Sequence, residues 1–196
     1  MKPLKLIATV LVLLPLSQAA HSATITNGDF SAGLTGWSAQ GNVNTSAGYA
    51  VLTSAGSGTS TGSFGGTNGS ILSQAINASA GDTISFSYNF LAGDYLPYND
   101  FSLVVGDSNN LLSNVAAVGS YGTTGWSTYS FVATANFTDL IFVLSNAIDS
   151  SVDSSLYIDN VTVTNTPIPA AVWLFGSALT GLVGIGKRKQ TKALAA

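Results

Sequence analysis

The sequence predicts an all-β protein: one antiparallel β-sandwich, preceded by a signal peptide and followed by a transmembrane helix. Three observations carry this reading. Short segments that alternate apolar and polar residues recur between turn-forming clusters, with no helical stripe among them. Charged residues make up only 8% of the 196 residues, far below the usual quarter, and Gly, Ser, Thr and Asn fill the gap. Each end carries an uncharged apolar run flanked by basic residues.

The first element is residues 1–22. Lys2 and Lys5 precede an apolar run from Leu6 to Leu16, and small residues then offer cleavage after Ala19 or after Ser22. This is the layout of a secretory signal peptide, and the run is short for a bilayer-spanning anchor.

The second element, residues 23–166, is a single domain of about 140 residues, long enough to bury a core without disulfides. Its clearest strand is Thr83 to Phe90, where Ile84, Phe86, Tyr88 and Phe90 point one way and Thr83, Ser85, Ser87 and Asn89 the other. Further strands are expected at Tyr49–Thr53, Ile71–Ile76, Phe101–Val105, Thr128–Ala133, Leu140–Leu144 and Leu156–Val163. Turns are expected at Ala80-Gly-Asp, Gly106-Asp-Ser-Asn-Asn and Gly122-Thr-Thr-Gly. Ser54 to Ser70, rich in Gly, Ser and Thr, reads as a long flexible loop. Short strands at regular spacing with no intervening helix argue for the sandwich.

Asn27-Gly-Asp-Phe followed by Gly36-Trp37 at the start, and Leu156-Tyr-Ile-Asp-Asn-Val-Thr-Val at the close, resemble the ends of jelly-roll carbohydrate-binding modules. The segments from Phe90 to Phe101 and from Gly125 to Phe131 resemble extracellular bacterial domains of the same sandwich type. The resemblance spans most of Ile25 to Val163 and implies a jelly-roll-like sandwich. In that class the acid of the closing motif often joins the opening strand around a structural calcium. Carried over, this makes Asp159 the main calcium candidate, with Asp29 and Asn27 behind it.

The third element is residues 167–196. The stretch from Ile168 to Gly186 is uncharged and spans about 28 Å as a helix, close to the hydrocarbon thickness. Pro167 and Pro169 stand at its start, where proline costs a helix least. Lys187, Arg188 and Lys189 follow, in a basic tail reaching Lys192, and the positive-inside rule keeps them cytoplasmic. Ser177 and Gly181 form a small-xxx-small pair, a weak association signal. The run from Thr166 to Ser177 resembles the PEP-CTERM class of bacterial sorting signals in the variant V-P-L-P-A-A-x-W-L-F-G-S, with Thr166 and Ile168 departing conservatively. The resemblance implies processing by an exosortase-type enzyme near Pro167 to Ala170. It also implies a Gram-negative, exopolysaccharide-making bacterium, with the protein in its cell envelope or extracellular matrix.

Charge placement limits the chemistry. All six basic residues lie in the two terminal elements, and all nine acids are aspartates between Asp29 and Asp159. A domain with no Lys or Arg repels nucleic acid and attracts cations. It has no Cys or Glu, and its one His, His21, is lost if cleavage follows Ser22. A serine nucleophile would lack its base, and a metal hydrolase its usual ligands. The expectation is a non-enzyme. Paired carboxylates alone can still cleave glycosidic bonds, and Asp94 and Asp100, flanking a loop with Tyr95, Tyr98 and Phe101, are the pair to test. Those acids equally serve as turn caps or cation ligands.

If the face of the last strand that carries Asp159 points inward, that carboxylate needs compensation, which calcium would supply. At a strand edge, water or hydrogen bonds would serve. Sugar binding needs exposed aromatic platforms. Tyr95 and Tyr98, around Pro97, are the main candidates. Trp37 and Trp126 are also candidates, although each follows a glycine in a motif that usually serves packing. Polysaccharide is the expected partner besides the processing enzyme and the membrane.

Overall fold

The computed structural model describes residues 22–46, 48–55, 58–166 and 176. Residues 1–21 of the expected signal peptide, and Pro167, Pro169, Ala170, Lys187, Arg188 and Lys189 of the expected sorting signal, lie outside the described residues.

Among the described residues, eleven strands form two antiparallel sheets. They are β1 (Ser38–Gln40), β2 (Asn42–Ser46), β3 (Tyr49–Thr53), β4 (Thr59–Ser60), β5 (Asn68–Ala78), β6 (Thr83–Leu91), β7 (Phe101–Val105), β8 (Asn109–Asn114), β9 (Ser127–Val132), β10 (Phe137–Ser145) and β11 (Ser155–Thr164). A short helix, α1 (Val115–Val118), follows β8. The first sheet runs β1-β5-β10-β7-β8, with β4 beside β5, and the second runs β2-β3-β11-β6-β9. From β5 onward the chain crosses repeatedly between sheets, so neighbouring strands within a sheet are distant in sequence.

Alternation decides which side chains meet in the middle. Ile84, Phe86 and Phe90 of β6 are buried, as are Leu140, Phe142 and Leu144 of β10, Leu52 of β3 and Leu156 and Ile158 of β11. Each such side chain contributes about 1.5–3 kcal/mol through burial. Phe86 and Phe142 meet edge to face across the sheets with ring centres 4.8 Å apart, a favoured aromatic geometry.

The seven expected strands are present, with ends shifted or extended by a few residues. β1, β2, β4 and β8 escaped the pattern because they are short and polar. Asn109 and Asn110, read as part of a turn, open β8 instead. The reading of Ser54–Ser70 as one loop needs correction. It contains β4, a 3-10 turn at Gly62–Phe64 and the first residues of β5. Its backbone is tied down where Ser54 N donates to Ser154 O and Thr67 N donates to Asn146 O.

Gly41 lets the chain pass from β1 in one sheet to β2 in the other. Its φ of +78° is a left-handed conformation, and a Cβ there would lie 2.4 Å from Gly69 O. Both facts require glycine.

The two chain ends of the domain lie together. Asn165 Nδ2 donates to Ala23 O at 2.9 Å, and Thr166 N donates to the buried Asp82 at 2.9 Å. Thr164 pairs with Thr83 at one end of β6, whereas Ser155 pairs with Leu91 at the other. The exit toward the C-terminal tail is therefore at the end of the sandwich opposite the 92–100 and 146–154 loops.

Candidate functional site

The outer face of the second sheet carries an aromatic cluster that the sequence reading did not assemble. Leu156 and Ile158 point into the core, so Tyr157 and Asp159 point out. Tyr157 pairs with Val51 on one side and Asn89 on the other, and Asp159 pairs with Ser87, which in turn pairs with Thr128. Ala50 pairs with Ile158 at the end of the β3–β11 ladder, with Tyr49 the residue before it on β3.

Trp126, just ahead of β9, leans across β6 and β11 to reach Tyr49 on β3, with ring centres 5.4 Å apart. Tyr49 and Tyr157 stand edge to face at 5.7 Å, and Trp126 lies 6.4 Å from Tyr157. Trp126 remains 51% exposed, so a large part of the indole is open to a ligand. Beneath it lies a cleft of about 230 Å³ lined by Ser87, Trp126, Ser127, Thr128, Asp159 and Asn160. That is smaller than the roughly 300–1,000 Å³ of sites that engulf a small molecule. It suits one ring of a larger molecule, with hydroxyl, amide and carboxylate groups around an aromatic wall.

The face of β11 changes sides partway. A bulge between Asp159 and Thr162 shifts its register against β6, and Asn160 takes a φ of +53°. Strict alternation would put Asp159 on the face of Val161. The bulge instead turns Val161 into the core while Asp159 stays with Tyr157 on the outside, because an extra residue inverts the order beyond it.

The argument for calcium from an inward, uncompensated Asp159 therefore does not apply. Its carboxylate accepts from Asn160 N at 2.7 Å and Asn160 Nδ2 at 3.0 Å. The other two calcium candidates serve the opening turn. Asp29 Oδ1 accepts from Ser31 N and Oγ. Asn27 Nδ2 donates to Gly33 O and Thr35 O, and its Oδ1 accepts from Ala32 N. Among the described residues, no three acidic or imidazole side chains gather as metal ligands. The opening turn does meet the closing strand, as the resemblance implies, but through backbone: Val161 N donates to Gly28 O at 2.9 Å.

The tryptophans separate. Trp37, offered above as a possible platform, is only 8% exposed. It packs 5.2 Å from Phe30 and 6.0 Å from Phe142, and its Nε1 donates to Asn27 O. It is a core residue, correcting that expectation, and Trp126 is the open one. Tyr95 and Tyr98 lie together at the loop end of the sandwich, ring centres 5.4 Å apart, and Tyr121 from the α1–β9 connection joins them 6.0 Å from Tyr95. Tyr95 and Tyr121 are exposed. They form a second aromatic group, built on loops, whereas Tyr49 and Tyr157 stand on paired strands.

Asp94 and Asp100 are brought into one neighbourhood, but both are buried. Asp94 Oδ1 accepts from Tyr95 N. Asp100 accepts from Ser154 Oγ at 2.7 Å and from Ala147 N at 3.3 Å, which locks the 92–100 loop to the 146–154 loop. Burial pushes the Asp100 carboxyl up to about 6, and the hydrogen bonds only partly oppose it. Both carboxylates are enclosed, and Asp100 is committed to holding the two loops together, so the pair is badly placed to flank a glycosidic bond.

Tyr49 and Tyr157 are the residues that sequence reasoning missed. The available signal was an aromatic residue at the outward phase of a strand, as Tyr157 stands between Leu156 and Ile158. The strand pairing that brings Tyr157 to Trp126 left no local trace.

No family model matches the chain, and no curated protein does. Among solved structures, it is similar to the K3 cleaved adhesin domain of Lys-gingipain from Porphyromonas gingivalis W83, with 14% identity, 74% of this chain and 100% of that chain covered, and a TM-score of 0.46. It is similar to the carbohydrate-binding module TmCBM61 in complex with β-1,4-galactotriose, with 14% identity, 74% and 99% covered, and a TM-score of 0.42. A third is the N-terminal cellulose-binding domain of Cellulomonas fimi β-1,4-glucanase C, with 17% identity, 72% and 94% covered, and a TM-score of 0.43.

Proposed function

We propose that this chain is an exported, non-catalytic surface protein that binds glycan on the outer face of its second sheet. The observation that carries this reading is the Trp126–Tyr49–Tyr157 cluster, whose Trp126 lines a cleft of hydroxyl, amide and carboxylate groups. Sugar rings present an apolar face and a rim of hydroxyls, which is the complement of such a surface.

The remaining parts follow from the sequence. A signal peptide exports the chain. A PEP-CTERM-like tail holds it in the membrane at least until an exosortase-type enzyme acts, and exopolysaccharide of the envelope or matrix is the natural ligand. The domain leaves its tail at the end opposite the 92–100 loop, so anchoring at Thr166 leaves the aromatic face clear of the bilayer.

The test is binding of soluble polysaccharides to the full chain in non-ionic detergent, measured by affinity electrophoresis with Trp126→Ala and Tyr157→Ala beside it. At least one polysaccharide should retard the wild-type chain, and both substitutions should weaken the effect about tenfold or more. Retardation that survives both substitutions would move the site elsewhere, with the Tyr95, Tyr98 and Tyr121 group next in line.

One observation favours a second reading, an adhesive protein that acts by contact between protein surfaces. The first sheet bears an apolar row in which Ile71 pairs with Val143, Val143 with Leu103 and Leu103 with Leu111; Val143 and Leu103 are buried, so the row opens to solvent chiefly at its Leu111 end. Leu111 is 53% exposed. Concentration-dependent self-association lost in Leu111→Lys, with no polysaccharide bound, would favour this reading.

A further inference from the structure

The glycan reading leaves the class of sugar open, and the cleft's charge narrows it; the inference below rests on that reading. We infer that the site takes a polysaccharide bearing free, protonated amines, such as a partly deacetylated amino-sugar polymer.

Asp159 and Trp126 line the same cleft, and Tyr49 packs edge to face on Trp126 with ring centres 5.4 Å apart. Among the described residues, the Asp159 carboxylate accepts hydrogen bonds only from its neighbour Asn160, an uncharged residue. No lysine or arginine exists between Ala23 and Thr166 to neutralise it. The aromatic rings nearby present electron-rich faces, which attract a cation rather than repel it. An ammonium held on an apolar sugar body meets both features at once. It pairs with the carboxylate while its ring stacks on the indole.

A neutral sugar would stack and donate hydroxyls to the carboxylate, but would leave its charge without a counterion. An acidic sugar would meet Asp159 within a domain whose only ionised side chains are nine aspartates. The same excess of negative charge draws a polycation toward the surface from a distance, and salt weakens that pull.

A simple metal cation is a poorer fit. It would engage the carboxylate but bring no apolar body to stack on the indole, and no second acid is among the residues that line the cleft.

The experiment compares four probes on the full chain in non-ionic detergent: a β-1,4-linked glucosamine oligomer, its N-acetylated counterpart, a glucose oligomer of equal length and oligolysine. The glucosamine oligomer should bind about tenfold tighter than its acetylated form, which is about 1.4 kcal/mol. The advantage should shrink in high salt and vanish in Asp159→Asn. Trp126→Ala should weaken all three sugars. Should Asp159→Asn fold poorly, Thr128→Lys places a cation at an exposed position of the same cleft and should penalise the glucosamine oligomer selectively.

Equal affinity for the free-amine and acetylated sugars, both sensitive to Trp126→Ala, would overturn the amine assignment and leave glycan binding standing. Oligolysine binding as tightly as the glucosamine oligomer, both indifferent to Trp126→Ala, would overturn it in favour of unspecific capture of cations. No binding of any sugar would sink the glycan reading itself.

Discussion

Replacing Asp100 with Asn should stabilise this protein at neutral pH and flatten its acid titration. Asp100 is buried where the 92–100 and 146–154 loops meet, and its pKa stands at about 6 against an ordinary 3.8. That difference disfavours the ionised form by about 3 kcal/mol, at about 1.4 kcal/mol per tenfold in proton affinity.

The sign follows from where the proton sits. Between pH 3.8 and about 6 the folded chain keeps a proton that the unfolded chain has released. Stability therefore falls as pH rises through that window, and the whole penalty stands above it. Asparagine cannot ionise. Its Oδ1 can still accept from Ala147 N, and its Nδ2 can donate to Ser154 Oγ once that hydroxyl turns. Allowing about 1 kcal/mol for imperfect bonding, the variant should gain about 2 kcal/mol above pH 7. For a domain of this size that is a rise of about 4–8 °C in melting temperature.

Asp29 and Asp107 do not confuse the reading. Hydrogen bonds from Ser31 hold the first carboxyl below its usual value, and those from Thr134 hold the second. Their stabilisation is lost only as pH falls below the Asp100 window. The assay is thermal unfolding of both chains, followed by circular dichroism across the window. A wild-type melting temperature that climbs from pH 4 to 7, or an Asp100→Asn chain with the same slope, would refute the reasoning.

The two domain tryptophans should respond in opposite ways. Trp37→Ala empties a buried aromatic site and should cost about 3–5 kcal/mol in urea unfolding, while Trp126→Ala should cost less than about 1 kcal/mol, because half of its surface is already in water. Asp82→Ala removes the acceptor for Ser79 N and Thr166 N. It should cost about 2 kcal/mol and speed amide exchange at Thr166, where the chain leaves the sandwich.

The strands that read most clearly were those with one face in the core. β6 alternates cleanly because Ile84, Phe86 and Phe90 must be dry while Ser85 and Ser87 need not be. The same rule missed β1 and β2, whose stability comes from pairing with β5 and β3 rather than from their own apolar residues. It also mistook the opening of β8 for a turn. Asn109 and Asn110 are turn formers by composition, and only their pairing with Val105 and Val104 makes them strand.

Composition alone settled the charge of the domain and its lack of Cys, Glu, Lys and Arg, because counting residues needs no coordinates. Periodicity settled the sandwich and most of its strands, because burial on one face of a strand is written at every second position. What lay beyond the sequence was anything fixed by pairing between distant strands. The bulge at Asn160 keeps Asp159 outside while turning Val161 in, and one residue of slip is invisible in a pattern of period two. The meeting of Tyr49, Tyr157 and Trp126 depends on β3, β11, β6 and β9 lying in that order, and no segment of the chain records its neighbours in a sheet.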